Sequence, residues 1–161
     1  MPRPRQKSDN DCAVVVFREI TGEDEETAST RFSPHLQEYG TPVHALSSCL
    51  TEAGWMLTDY EYAAMQAVGR EGLFDDEAFK KFWTQFEGIA VMGYTRMGAV
   101  NNHAILVRSG GIVFDPNPSA PEDGEFIAEH FKRAGGPIII TSVATITRML
   151  SAECGDGEST K

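Results

Sequence analysis

The rhythm of hydrophobic and polar positions changes near the middle of this chain. In the first half, apolar residues recur at helical intervals between polar ends. Asp9 and Asp11 precede a largely apolar segment from Cys12 to Ile20, and Gly22 follows it. Acidic residues before an apolar run and a glycine behind it mark the two ends of a helix. The Val14-Val15-Val16 run also suits a strand, and periodicity alone does not separate the two; the caps favour helix. Residues 23–32 read as a second, acidic helix. Thr41-Pro42 offers an N-cap followed by proline at the first helical position. Val43, Leu46, Cys49 and Leu50 then share one face, and Gly54 closes that helix. Trp55 to Tyr60 suits a strand, and residues 61–72 are ambiguous, loosened by Gly69 and Gly72. Asp75 caps a further helix with Phe79, Phe82, Trp83 and Phe86 inward and Lys80 and Lys81 outward.

The second half alternates with the shorter period of strands. Ile89 to Thr95 is strand-like. His103 to Arg108 and Gly111 to Asp115 are two apolar runs joined through Ser109-Gly110, which predicts a hairpin. Residues 125–134 suit a helix, and Pro137 to Thr147, rich in Ile, Val and Thr, suits one or two strands. Residues 151–161 are small, polar and acidic and read as a flexible tail. Helices first and antiparallel strands afterwards predict an α+β fold. Neither a repeat nor a dividing linker interrupts residues 1–150, so they are expected to form a single domain.

Composition narrows the function classes. With 161 residues, 41% apolar and 24% charged, the chain is long enough to bury a core without staples. A net charge of −10 argues against a nucleic-acid partner, which needs a basic patch. Arg3, Arg5 and Lys7 are too few to form a binding arm. Cys12, Cys49 and Cys154 are an odd set with no disulfide pattern, which suits a reducing compartment. The apolar run 13–17 is too short for a signal segment or membrane span, so a cytoplasmic protein with no membrane partner is expected. His35, His44 and His130 have no metal-ligand spacing with the cysteines, so neither metal nor other cofactor is expected. Gly110-Gly111 is a turn rather than a phosphate loop, because no Gly-Lys-Ser/Thr follows.

One constellation carries chemistry. Acyl transfer by cysteine needs a thiolate, an imidazole, a group that orients the imidazole and a donor to the oxyanion. Cys12 stands at the predicted start of a helix, where unpaired backbone N–H groups and the helix dipole favour a thiolate. Asp9 and Asp11 oppose this unless they face solvent or cap the helix. His103 and Asp115 lie at the open end of the predicted hairpin, within one position of facing each other. A carboxylate there would fix the imidazole tautomer and stabilise imidazolium. Gln6, six residues before Cys12, would donate to the oxyanion together with the Cys12 backbone N–H.

Gln6-Lys7-Ser8-Asp9-Asn10-Asp11-Cys12, followed by Ala13-Val14, resembles the nucleophile segment of papain-like cysteine peptidases of the bacteriocin-processing, double-glycine-leader type. His103-Ala104-Ile105-Leu106-Val107 and Phe114-Asp115-Pro116 resemble that family's histidine strand and Asp-Pro. The resemblance implies a papain-like fold with N-terminal helices packed on a C-terminal antiparallel sheet. It implies Cys12 as nucleophile, His103 as general base and acid, Asp115 as orienter and Gln6 as oxyanion donor. Ala13 stands where the family usually has glycine. The family domain is normally fused to a membrane-spanning exporter; this chain reads as a stand-alone domain of bacterial or phage type.

The function expected is therefore hydrolysis of a peptide or isopeptide bond through a Cys12 thioester. The same site suits a deamidase or acyl transferase, because the thioester does not dictate its acceptor. A non-catalytic papain-like interaction module is the reading from a different class. Cys49 is expected in the core and Cys154 exposed in the tail. The aromatic set around Trp83 is most simply core, with Trp83 also a candidate for the edge of a substrate groove. Asn117, just after the Asp-Pro, is a candidate polar contact to substrate.

Overall fold

Helix α1 (Cys12–Thr21) begins and ends where the caps predict. Its start differs in detail, however. Asp11 holds the N-cap position but its side chain makes no capping bond to the helix; it accepts from the backbone N–H of Lys7 at 3.0 Å instead. At the other end Gly22 adopts φ 74° and donates its N–H to the Arg18 carbonyl, a left-handed closure that a residue with a Cβ adopts only at a cost. Helix α2 (Glu25–Phe32) is capped by Asp24, whose carboxylate accepts from Thr27 N–H at 2.8 Å. Helix α3 (Val43–Glu52) buries Leu46, Cys49 and Leu50. The computed structural model describes residues 3–7, 11–35, 43–60, 77–96, 99–134 and 138–149. The expected caps at Thr41-Pro42 and Asp75, the ambiguous stretch 61–72 and the tail 151–161 with Cys154 lie outside them.

The remaining elements are β1 (Trp55–Tyr60), α4 (Glu77–Gln85), β2 (Gly88–Arg96), β3 (Ala99–Arg108), β4 (Ile112–Phe114), β5 (Glu125–Phe126), α5 (Ile127–Ala134) and β6 (Ile138–Arg148). The strands form one antiparallel sheet in the order β1-β6-β2-β3-β4-β5. Long β6, expected as one or two strands, is a single strand that bridges β1 and β2, and this explains its density of β-branched residues.

Alternation along the strands divides the core. Ile89, Ala104, Leu106 and Phe114 face α1, α2 and α3, packing with Val15, Val16, Phe17, Phe32, Leu46 and Leu50. Ala90, Ile105, Val107, Val113 and Val143 face the other way, against Trp83 and Phe86 at the end of α4 and Ile127 and Ala128 of α5. Each fully buried Leu, Ile or Phe in these layers contributes about 2 kcal/mol of transfer free energy. The α+β expectation, with N-terminal helices packed on an antiparallel sheet, therefore holds. The addition is the second helical layer on the opposite face.

Three local expectations need correction. His103 does not open a strand: β3 starts at Ala99, and His103 lies within it opposite Met92. Pairing to β2 carries Asn101 and Asn102 into the strand, although their type suggests a turn. The hairpin loop is three residues, Ser109 to Gly111, with Gly110 at φ 83° and Gly111 at φ 75°. Leu106 consequently faces Phe114, one position away from the register a two-residue turn would give. Residues 125–134 are a two-residue edge strand followed by a helix, because Glu125 and Phe126 pair with Val113 and Ile112 before α5 begins.

Candidate active site

The sheet narrows where the site forms. Strand β4 pairs with β3 only across Leu106, Val107 and Arg108. Beyond Phe114 the chain leaves the sheet at Asp115-Pro116, and the β3 edge at Ala104 turns to the N-terminus of α1. Backbone N–H groups of Ala104 and Ala13 both point at the Cys12 sulfur. Cys12 thus reaches the sheet edge from the α1 side. By alternation His103 belongs to the opposite face, with Ile105 and Val107. The two side chains meet beyond the Leu106–Phe114 pair, where the pairing of β4 with β3 ends.

His103 and Asp115 are both buried, and His103 Nε2 lies 2.7 Å from Asp115 Oδ1. Asp115 Oδ1 also accepts from the Asn117 backbone N–H at 2.8 Å. Burial pushes the Asp115 carboxyl up, but His103, the Asn117 N–H and the neighbouring His130 ring together hold it below the usual aspartate range. An ionised carboxylate only accepts, so Nε2 must carry the proton. Nδ1 is then the ring nitrogen left for the hydrogen bond that His103 shares with the Cys12 thiol.

Electrostatics follow from this chain of contacts. Burial works against a charged imidazole, yet Asp115 and the Cys12 sulfur outweigh it and raise His103 to about 9. Burial likewise opposes a thiolate at Cys12. The His103 hydrogen bond and charge, with the Ala104 and Ala13 N–H groups, reverse that and lower the thiol. Both shifts favour a thiolate beside an imidazolium. By contrast Cys49 is raised, first by burial and then by Glu52; its sulfur lies 3.8 Å from the Arg31 carbonyl, as suits a core residue.

Gln6 is brought in through its backbone. Its N–H donates to the Pro116 carbonyl at 2.9 Å, and the next N–H, of Lys7, donates to Asp11. Gln6 therefore spans from the residue after Asp115 to the residue before Cys12, with its Oε1 buried. Arg5 reinforces the bridge: its guanidinium donates to the backbone carbonyls of Asp115 at 2.9 Å and Asn117 at 3.0 Å.

Asn117 closes the turn itself. Its side-chain oxygen accepts from the backbone N–H and hydroxyl of Ser119, and its backbone N–H serves Asp115. Trp83 is fully buried among Phe86, Ile127 and the β-sheet, so it is a core residue and not the rim of a groove. Of the residues nominated from sequence, Cys12 and Asp115 each contact His103 and Gln6 is tethered beside them; Asn117 touches Asp115 through its backbone, and Trp83 stands apart. The residue that sequence reasoning missed is His130, whose Nε2 lies 3.8 Å from Asp115 Oδ2. Its only sequence signal is a histidine on the apolar stripe of a short helix.

Among the described residues no group of three or more His, Cys, Asp or Glu side chains is arranged to hold a metal ion. No described helix is long and apolar enough to cross a membrane.

No protein-family model matches the chain, and no curated protein matches it. Solved structures do. The peptidase domain of Streptococcus ComA, a bi-functional ABC transporter involved in a quorum sensing pathway, superposes with a TM-score of 0.52 at 17% identity, covering 91% of this chain and 97% of that one. The peptidase domain of Streptococcus mutans ComA gives 0.49 at 14% identity, with 91% and 99% covered. The fold of this chain, helices on a six-stranded antiparallel sheet, is thus the papain-like α+β fold that the ComA peptidase domain also has.

Proposed function

We propose that this chain is a cysteine peptidase in which Cys12 attacks a peptide or isopeptide carbonyl. The observation that carries the reading is the unbroken contact chain from the Cys12 thiol through His103 to Asp115, with 2.7 Å between His103 Nε2 and Asp115 Oδ1. The fold shared with the ComA peptidase domain supports it.

In this mechanism the Cys12 thiolate forms a C–S bond to the carbonyl carbon, and the carbonyl π electrons move to oxygen. The backbone N–H of Cys12 and the Gln6 amide stabilise that oxyanion. Collapse of the tetrahedral intermediate breaks the C–N bond, and the His103 imidazolium gives its Nδ1 proton to the leaving amine. Neutral His103 then takes a proton from water, which attacks the thioester, and the acid product leaves as Cys12 and His103 return to the ion pair. Asp115 stays ionised throughout and holds the ring. The substrate on this reading is a peptide or protein, with neither metal nor cofactor in the step. Residues 1–150 act as one domain, working in a reducing compartment.

Peptides from a proteolysed cell extract, incubated with the protein and profiled by mass spectrometry, test this directly. New termini should appear with the wild type and vanish with Cys12→Ala and with His103→Ala. Cleavage that persists in Cys12→Ala, or that never occurs although Cys12 alkylates rapidly below pH 7, would defeat the peptidase reading.

A further inference from the structure

Asp115 has two carboxylate oxygens, and the site described above uses one. Oδ1 serves His103 and Asn117. A carboxylate held by one oxygen is free to turn about its last torsion, which is broad for aspartate. The other oxygen faces α5. There His130 Nε2 lies 3.8 Å and Arg133 Nη2 3.9 Å from Oδ2. His130 is 1% exposed, and among the described residues it is the only histidine of the largest fully buried side chains.

The far side of the His130 ring is equally specific. Its Nδ1 lies 3.1 Å from Glu125 Oε1 and 3.2 Å from Arg133 Nη2. Glu125 Oε1 already accepts from Arg133 Nε at 2.7 Å and from Nη2 at 2.6 Å. A third proton there gains little. Arg133 is a donor only and Asp115 an acceptor only. The arrangement that serves most of these groups puts the lone pair on Nδ1, toward Arg133, and the N–H on Nε2, toward Asp115. Asp115, Glu125 and Arg133 are the charged groups that face the ring, from the loop after β4, from β5 and from α5. Burial first, and Arg133 as well, hold His130 below the usual histidine range, so the ring acts as a neutral dipole.

We propose that His130 is a positioning residue for the site: wedged between Asp115 and the Glu125–Arg133 ion pair, it holds the second oxygen of the Asp115 carboxylate and thereby the plane in which Asp115 grips His103. The order of contacts is Arg133, His130, Asp115, His103, Cys12. The proposal rests on the reading of Cys12, His103 and Asp115 as one working unit, but not on any particular substrate.

Two amides of different reach separate positioning from simple packing. The side-chain amide of His130→Asn falls where Nδ1 was, and keeps an acceptor for Arg133 without reaching Asp115. The amide of His130→Gln extends to where Nε2 was and keeps an N–H dipole facing Oδ2. The readout is the pH dependence of iodoacetamide alkylation of Cys12, mapped by peptide mass spectrometry from pH 5 to 9, on protein shown to be folded by its thermal transition. In His130→Asn the midpoint should rise by about 1 pH unit, because a looser Asp115 stabilises the imidazolium less. His130→Gln should titrate like wild type. A packing role would lower the thermal transition in both and move neither midpoint, and equal midpoints in wild type and His130→Asn overturn the proposal. A wild-type Cys12 that titrates as an ordinary thiol would sink the peptidase reading and this proposal together, so the two failures differ. If His130→Asn does not fold, nitrogen-15 NMR of the wild-type imidazoles decides instead. The His130 Nε2 resonance should move as His103 titrates near pH 9, and an unresponsive His130 overturns the proposal.

Discussion

The decisive residue is Asp115, because its charge sets His103 and, through His103, Cys12. The carboxylate raises His103 to about 9, and the imidazolium in turn lowers Cys12. Asp115→Asn keeps the shape and removes the charge. The amide also accepts only through its oxygen, so the ring is no longer held in one tautomer. If the chain cleaves peptides, kcat/KM should fall by roughly 10³-fold, and the alkaline limb should move below pH 9, since the main force raising His103 is gone. An alkaline limb left in place in Asp115→Asn would show that something else raises the imidazole. At this scale the sequence was partly legible. The pairing of His103 with Asp115 could be read from a hairpin, though the register was one position off and His103 lies inside its strand. The contact survives because Asp115 has already left the sheet and is not bound by the ladder. His130 could not be read, since fourteen residues containing a turn, an edge strand and the start of a helix separate it from Asp115. No local period predicts where such a path returns.

Among elements, the short N-terminal segment is the one whose role exceeds its length. Residues 3–7 form no helix or strand. They are tied instead by Gln6 N–H to Pro116, Lys7 N–H to Asp11, Arg5 to two backbone carbonyls and Arg3 to the Glu122 carbonyl at 2.7 Å. Arg5→Ala removes two charge-assisted bonds from a partly buried setting, a loss of about 2 kcal/mol. Its effect on turnover should exceed its effect on Cys12 alkylation, because the segment carries Gln6 and not the thiol. Expected are an alkylation profile like wild type and a kcat lowered in the same direction as Gln6→Ala, whose loss of an oxyanion donor costs about 3 kcal/mol in the barrier. Equal losses in both readouts would place Arg5 in support of Cys12 rather than Gln6. The helices were legible because their caps are local: Gly22 and Asp24 act within a few residues. Asp11 misled in detail, since its carboxylate turns back to Lys7 instead of capping α1. Strand β5 was invisible because two residues carry no period, and only Val113 and Ile112 make them a strand.

For the whole molecule, the Cys12–His103 pair makes an unusual demand on stability against pH. Unfolded, the imidazole loses its proton near 6.5 and the thiol near 9.0. Folded, the order reverses: the thiol ionises first and the imidazolium persists to about 9. Taken alone, the raised His103 contributes stability that is complete below 6.5 and lost as pH rises through about 9. Taken alone, the lowered Cys12 contributes stability that is complete above 9.0 and lost as pH falls through its folded value. Above both 6.5 and the folded value of Cys12, and up to about 9, the pair therefore binds one proton in each state, on sulfur when unfolded and on the imidazole when folded. Its contribution there is flat. Cys12→Ala removes the compensation while leaving His103 on Asp115. Stability of that variant should fall with rising pH above 6.5, by at most about 1.4 kcal/mol per pH unit, until its own folded imidazole has titrated. Asp115 is ionised in both proteins across this range, so it cancels in the comparison. Urea unfolding of wild type and Cys12→Ala at pH 6, 7, 8 and 9 measures the difference. A widening gap in favour of wild type means that the proton has moved from sulfur to imidazole on folding; parallel curves mean that the folded protein keeps a neutral thiol at Cys12, whatever the charge of the ring beside it, and no resting thiolate is then available for attack.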